Sequence, residues 1–154
     1  MLAIVALLTT VMLVARPGGE SSEDAPPRRL GPAMIGAPVD VGASPVSIAV
    51  GAGAVWVVDA ARGTLIRVDP RTREVSGRSA RVAGGPFSVA VGEGAVWVAS
   101  GDGSVRAFDP RTVRPTGRAA RVRGANGLAV GAGGVWVTSR LAGTVTRIDP
   151  RTRR

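Results

Sequence analysis

The sequence predicts an all-β protein built from repeats, and three observations support this prediction. The three tryptophans of the chain, Trp56, Trp97 and Trp136, follow one another at intervals of about 40 residues. A glycine-rich element, Ala-Val-Gly-x-Gly, precedes each tryptophan, and an Asp-Pro-Arg-Thr element follows each one. Short apolar runs separated by such turns at this period are typical of β-propeller blades. We therefore expect β-propeller-type repeats, three four-stranded blades in an incomplete ring, after an N-terminal hydrophobic helix.

Each repeat is predicted to contain four short strands, named d, a, b and c in chain order. In the first repeat, residues 34–41 are strand d, and residues 47–50, 55–58 and 65–69 are strands a, b and c. Strand b is apolar on both faces, as expected of a strand that is buried between two neighbouring blades. The small residues on one face of strand a suit a position near the propeller axis. The three blades are predicted to span residues 34–73, 74–113 and 114–154.

The features that the repeats share are predicted to be structural. The tryptophans are expected in the core between blades, because each lies within an apolar strand. Gly-x-Gly is predicted to be a tight turn between strands a and b. In Asp-Pro-Arg-Thr, the carboxylate can accept hydrogen bonds from backbone N–H groups two residues on, and proline presets φ. A metal-binding role for Asp69, Asp109 and Asp149 is a less favoured alternative, because separate blades would hold these carboxylates apart.

Residues 1–15 contain no charged side chain and predict a signal peptide or a truncated transmembrane helix. As a helix they would span about 22 Å, which is less than a hydrocarbon core of about 30 Å. Because no basic residue precedes the run, a natural start upstream of Met1 is a third interpretation, and a buried core helix is a fourth. Residues 16–33, rich in Pro, Gly, Ser and charged residues, are predicted to be a disordered linker. We expect an extracytoplasmic protein, either membrane-anchored or secreted.

The composition argues against several classes of function. The net charge is +9, but the basic residues are all arginines and the few aromatic residues are mostly predicted to lie in strands. Nucleic-acid binding is therefore not favoured. The chain has no cysteine and no histidine, and its acidic residues form no recognisable catalytic pair. We predict no cofactor, and we expect a protein that is not an enzyme.

Ligand binding is predicted at the loops where the repeats differ most, which connect strands b and c. The loops between strands d and a are expected at the same end of each blade. An unknown ligand or partner protein is expected there. The opposite end carries the arginines of the c–d turns, a basic rim that could bind phosphate, carboxylate or acidic glycan. The candidate ligand-binding residues are Asp59, Arg62, Asp102, Asn126 and Arg140.

The units at residues 47–72, 88–112 and 127–152 resemble the NHL and streptogramin (virginiamycin B) lyase-like β-propeller repeats, whose running form includes I-A-V-G-x-G-x-V-W-V. Similar arrays follow a membrane helix in actinobacterial receptor-like kinases. The resemblance therefore implies an extracytoplasmic sensor or scaffold module, part of a larger protein or assembly. The alternative is a fragment of a lyase-like enzyme. The elimination chemistry of that family uses a histidine base with Mg²⁺ bound nearby, and this chain has no histidine.

Three blades in an open arc are predicted to leave two apolar faces uncovered, because each blade needs a neighbour on both sides. One face is on the first repeat, at residues 55–57, and the other is on the third repeat, at residues 135–137. The first strand d has no strand c to pair with, and the last strand c has no strand d. Closed rings contain at least about four blades. We therefore expect residues 34–154 to self-associate, with a dimer of six blades as the favoured form.

Overall fold

The computed structural model describes residues 36–154, which fold into eleven β-strands in three antiparallel sheets. Each sheet is a meander in which every strand pairs with the next one along the chain. The apolar run at 1–15 and the predicted linker at 16–33 lie outside the described residues. Within 36–154 there is no helix that could span a membrane. The strands are β1 (Pro45–Gly51), β2 (Ala54–Asp59), β3 (Thr64–Val68), β4 (Val75–Arg81), β5 (Pro86–Gly92), β6 (Ala95–Ser100), β7 (Ser104–Phe108), β8 (Pro115–Arg121), β9 (Ala125–Gly131), β10 (Gly134–Ser139) and β11 (Thr144–Ile148).

The predicted all-β propeller-type architecture is confirmed, with an offset of one strand between sequence repeat and sheet. Strand d, which opens the second and third sequence repeats, pairs with strand c of the repeat before it, as β4 on β3 and β8 on β7. The first two sheets therefore contain four strands in the order a, b, c, d. The third sheet contains β9, β10 and β11 in the described part of the chain, so the prediction of four strands holds for two of the three sheets.

The predicted strand d at residues 34–41 is wrong for the part of it that the structure describes, since no strand forms within residues 36–44. The equivalent segments β4 and β8 are held by a strand c, and no such partner lies beside this segment in the described residues. Instead, Val39 and Val41 pack against Val57, Ile66 and Val68 on the first sheet. The segment therefore covers β2 and β3, the two middle strands of this sheet, as an irregular strap.

The a–b turns have the tight geometry predicted from Gly-x-Gly. In all three turns the residue before the second glycine has a positive φ, as does that glycine, for example Ala52 at 50° and Gly53 at 70°. Two successive residues in this region form a type I′ turn, which matches the twist of the flanking strands. The non-glycine residue, Ala52, Glu93 or Ala132, is thus held in a backbone conformation that L-residues rarely adopt.

The core lies between neighbouring sheets. One cluster contains Trp56, Leu65, Val98 and Phe108, which belong to the first and second sheets, and a second cluster joins the second and third sheets around Trp97. The innermost strands make most of the inter-sheet contacts, with β5 on β1 and β2, and β9 on β5 and β6. Burial of apolar surface from both faces of the second sheet therefore holds the three sheets together.

Two of the three tryptophans are core residues as predicted, and the third is not fully buried. Trp56 and Trp97 are 0% and 1% exposed, whereas Trp136 is 36% exposed. Trp136 lies on the face of the third sheet that no neighbouring sheet covers in the described residues, and the Arg147 guanidinium lies 5.9 Å from the centre of its ring. Each indole Nε1 donates a hydrogen bond to a glycine carbonyl five residues earlier, at 3.1, 3.2 and 3.0 Å respectively. The indole therefore also closes the a–b hairpin of its own sheet.

Candidate functional site

The candidate site lies where the b–c and d–a loops meet at one end of the sheets, and the structure confirms that these loops share that end. The d–a loops hydrogen-bond to the b–c turns through their backbones. Val82 N donates to Gly63 O and Val122 N to Gly103 O, both at 2.8 Å. Gly101 N donates to Gly85 O at 2.9 Å. The loop end is thus a layer of interlocked turns.

Asp59, at the end of β2, is fully buried, and its side chain holds the loops together. Its carboxylate accepts hydrogen bonds from Ala43 N at 2.8 Å, Arg62 N at 3.1 Å and Ser44 N at 3.3 Å. Burial raises the pKa of the Asp59 carboxyl. The backbone N–H groups of these three residues and of Ala61 together lower it by more than burial raises it, so the pKa lies below its usual value. Asp59 therefore anchors the strap at 36–44 to the b–c turn.

Asp102, in the β6–β7 turn, forms an ion pair with Arg121 at the end of β8. The distance from Arg121 Nη1 to Asp102 Oδ2 is 3.2 Å, and the same nitrogen donates to the Asp102 carbonyl. Asp102 Oδ1 accepts from the hydroxyl and the backbone N–H of Ser104, at 2.7 and 2.9 Å. These two hydrogen bonds, followed by the charge of Arg121, lower the pKa of Asp102 despite partial burial. Since both side chains are largely exposed, the pair orients Arg121 more than it stabilises the fold.

A cleft of about 360 Å³ opens beside this ion pair, between the loops of the second and third sheets. Its charged walls are Asp102, Arg121 and Arg123, and its apolar wall is Leu141, which is 76% exposed. Arg123 and Leu141 also line an adjoining recess of about 330 Å³. Arg123 makes no side-chain hydrogen bond or ion pair within residues 36–154. Among the described residues, the cleft therefore combines a guanidinium without a side-chain partner, a paired guanidinium and an exposed apolar side chain.

The five predicted site residues are not gathered into one site. Asp102 lines the cleft, and Arg140 is exposed in the same turn as Leu141. Arg62 belongs to the first sheet, where its Nε lies 3.9 Å from buried Asp59. Asn126 was predicted in a loop but lies within β9, where its Oδ1 accepts from Thr138 Oγ1 at 3.1 Å.

Sequence reasoning missed three residues that line the cleft, Arg121, Arg123 and Leu141. Arg121 ends the edge strand β8, and a charge on an edge strand has an ordinary structural explanation because it opposes edge-to-edge aggregation. The available signal was the contrast among the b–c loops, because Leu141 has no apolar counterpart of its size in the other two. Arg123 replaces Ala83 of the preceding repeat. A search for large residues in otherwise small-residue loops would have found both.

The opposite end of the sheets carries the predicted arginine rim on the Asp-Pro-Arg-Thr turns. Asp69, Asp109 and Asp149 each accept hydrogen bonds from the backbone N–H groups two and three residues on, at 2.8 to 3.2 Å. The predicted turn chemistry is therefore confirmed. These bonds lower the pKa of all three carboxyls.

One rim arginine is inserted into the fold. The Arg153 guanidinium lies 5.8 Å from the centre of the Trp97 ring, and its Nη2 donates to Thr116 Oγ1 at 2.9 Å. The same hairpin position in the second sheet holds Val113, which is buried in the cluster of Trp56. Arg153 also lines a cleft of about 490 Å³ together with Arg118, Arg121, Arg151 and Arg154. This second cleft is more basic than the first and has no large apolar wall.

The structure is similar to several solved β-propeller proteins. It matches a catalytically inactive virginiamycin B lyase from Staphylococcus aureus, solved with quinupristin, with a TM-score of 0.59 and 17% identity over 69% of this chain and 38% of that chain. BamB from Moraxella catarrhalis matches with a TM-score of 0.59 and 18% identity, over 71% and 34% of the two chains. Glutaminyl cyclase from Myxococcus xanthus matches with a TM-score of 0.54 and 17% identity, over 68% and 47%.

The chain thus spans between about a third and a half of the length of these three proteins. No protein-family model matches the sequence, and no curated protein matches it. At these identities the similarity concerns the fold and not the chemistry. The predicted resemblance to lyase-like propellers is confirmed at that level. The described part of the chain is a three-sheet segment with the β-propeller fold that virginiamycin B lyase and BamB share.

Proposed function

We propose that this chain is a binding module without catalytic activity, and that the cleft beside Asp102 and Arg121 binds an acidic segment of a partner protein. The observation that carries the proposal is the combination of Arg123 and exposed Leu141 in one cleft of about 360 Å³. A guanidinium with unused donors can bind a carboxylate in bidentate geometry. An adjacent apolar wall adds contact area for a leucine or aromatic side chain of the ligand.

The charge of the chain supports an acidic partner. The net charge of +9 arises from arginines, and a positive field raises the association rate of negatively charged ligands. The Asp102 carboxylate orients Arg121 at the cleft wall through the 3.2 Å ion pair. Pre-orientation of one arginine reduces the entropy that binding must offset. The interlocked loop layer beneath the cleft supplies a rigid support.

The experiment measures binding of a fluorescein-labelled peptide of alternating glutamate and leucine to the full chain by fluorescence anisotropy. Arg123→Glu is expected to weaken binding by at least about tenfold, because it replaces the attractive charge with a repulsive one. Arg118→Glu is the matched control, since it makes the same charge change in the second cleft, and it is expected to change affinity by less than about threefold. Equal losses of affinity in the two variants would show that binding depends on net charge, and would overturn the assignment of binding to the cleft.

A sensor or scaffold role outside the cytoplasm belongs to the same proposal. The uncharged run at 1–15 supports it, because such a run is typical of export or anchoring segments. Fusion of alkaline phosphatase after Arg154 tests the location, since that enzyme folds only where its disulfides form. Phosphatase activity in intact cells is expected, and loss of that activity after deletion of residues 2–15 completes the test. An inactive but stable fusion would contradict it.

A fragment of a lyase-like enzyme is the second candidate, and the structural similarity to virginiamycin B lyase favours it. The residues of this chain argue against it. No histidine is present, and the carboxylates of the Asp-Pro-Arg-Thr turns are engaged by their own backbone N–H groups. The side chains near the proposed cleft also include no general base other than Asp102, which is held by Ser104 and Arg121.

A further inference from the structure

The third sheet presents one uncovered face whose residues are buried in the other two sheets. Trp136 is 36% exposed and Val145 is 63% exposed on this face. The residues at the position of Val145 in the first two sheets, Leu65 and Val105, are both completely buried. This face therefore has the composition of an inter-sheet contact surface, and it is open to solvent in the described part of the chain.

The first sheet presents the opposite face of the same kind of contact. Ile48 and Val50 on β1 are 67% and 76% exposed, whereas Val89, the counterpart of Ile48 on β5, is 5% exposed. The strap at 36–44 packs over Val57, Ile66 and Val68 and leaves these β1 side chains exposed. Since inter-sheet contacts are made mainly by the innermost strand, the part of the face that such a contact needs remains accessible.

The two internal interfaces show how these faces fit together. A Cβ placed on Gly51 would lie 2.7 Å from a methyl group of Val91, and a Cβ on Gly92 would lie 2.7 Å from a methyl group of Val130. A valine of each following sheet thus fills the space left by a glycine of the preceding sheet. Gly131 is the third member of this series, and a Cβ there would meet no described atom within 4 Å. The space beside Gly131 is therefore open in the described residues, and Val50 on β1 is the equivalent valine that packs against no glycine there.

We propose that the two faces bind each other between copies of the chain. The β1 strand of one copy packs on β9 and β10 of the other, with Val50 in the space at Gly131 and Ile48 near Trp136. The contact is head-to-tail, because it joins two different faces. Two copies that make it twice close a ring of six sheets, which is within the range known for propellers. We assign this position to a second copy of the chain because its β1 carries Val50. The equivalent valines of the other sheets pack against the glycines that correspond to Gly131.

The test is sedimentation velocity of the full chain in mild detergent over a hundredfold range of concentration. The wild-type chain is expected to convert from monomer to dimer. Val50→Arg is expected to raise the dissociation constant by at least about tenfold, because the arginine would lose its hydration on packing against the apolar face of the third sheet. Ala61→Arg is the matched control. Ala61 is exposed in the β2–β3 turn and lies on neither face, so this variant is expected to associate like the wild type.

Mixing two blocked variants tests the head-to-tail geometry. Val50→Arg retains an intact third-sheet face, and Val145→Arg retains an intact first-sheet face. Each is expected to be monomeric alone, and a mixture is expected to contain a one-to-one complex. A wild-type chain that stays monomeric at every concentration would overturn the proposal. So would a Val50→Arg variant that associates as strongly as the wild type, since association would then occur through another surface such as the apolar N-terminal run.

Discussion

The tryptophans occupy the same position in each repeat but contribute differently to the stability of the fold. Trp97 lies between the second and third sheets and is covered on both sides, whereas Trp136 occupies the same position on an open face. Both indoles make the same hydrogen bond to a glycine carbonyl. The difference between the two sites is therefore the apolar surface that a neighbouring sheet covers.

Trp97→Ala is expected to lower the free energy of unfolding by about 3–5 kcal/mol, because it removes a large buried side chain. Trp136→Ala is expected to cost less than about 2 kcal/mol, since part of that surface is already solvated. Urea denaturation followed by circular dichroism measures both. Both substitutions should be made in the Val50→Arg variant, so that association between chains does not cover Trp136. Equal losses in the two variants would mean that Trp136 is as deeply buried as Trp97.

The aspartates of the Asp-Pro-Arg-Thr turns make the stability of the fold sensitive to acid. Backbone N–H groups hold the pKa of Asp109 below the ordinary value of 3.8. A carboxyl with a lowered folded pKa contributes stability that is present above its unfolded pKa and lost as the pH falls through the folded pKa. Stability should therefore decline below about pH 4.

Asp109→Asn is expected to destabilise the chain at pH 7 and to flatten this acid dependence. Thermal denaturation between pH 7 and pH 2.5 measures the effect as the difference in melting temperature between wild type and variant. That difference should shrink towards low pH, where the wild-type carboxyl is also protonated. Arg111 N and Thr112 N, which donate to Asp109 at 2.9 and 2.8 Å, would lose their charged acceptor in the variant at every pH. A difference that is constant with pH would contradict the assignment.

At the scale of secondary-structure elements, the a–b hairpins carry a local strain that a substitution can relieve. Ala52 has a φ of 50° within the type I′ turn, and asparagine tolerates this region better than alanine does. Ala52→Asn is expected to raise the free energy of unfolding by up to about 1 kcal/mol, a part of the cost of the left-handed conformation for an ordinary residue. Glu93→Asn relieves the same strain but loses the hydrogen bond from Gly133 N to the Glu93 carboxylate. It should therefore gain less, and urea midpoints compare the two.

The strap at 36–44 shows that a strand-like sequence forms a strand only where a partner strand can hydrogen-bond to it. Its alignment with β4 and β8 predicts a strand, but those two strands are edge strands held by hydrogen bonds to β3 and β7. No such partner lies beside the strap within residues 36–154, and its backbone turns instead, with Asp40 Oδ1 accepting a hydrogen bond from Gly42 N at 3.0 Å. The apolar side chains then bind the nearest apolar surface, on the first sheet.

At the scale of the whole molecule, a similarity at 17% identity concerns the fold and leaves the reaction to be tested. This chain contains no histidine, and the elimination implied by the resemblance uses a histidine base. We predict that the full chain does not open the ring of a streptogramin B lactone in the presence of Mg²⁺. Reversed-phase chromatography of the lactone and its linear product measures this. Turnover clearly above the buffer rate would contradict this prediction and favour the lyase-like candidate.

The sequence by itself determined the repeat, the turns and every predicted strand except the one at residues 34–41, because these depend on residues close together in the chain. Alternating apolar residues, Gly-x-Gly and Asp-Pro-Arg-Thr act within one hairpin, and each appears where it was predicted. The tertiary structure alone decided which tryptophan is covered, that Asp59 is a buried anchor and that Arg121, Arg123 and Leu141 share a cleft. Those outcomes depend on contacts between segments distant in sequence, and near-identical repeats do not encode which face of each sheet has a neighbour.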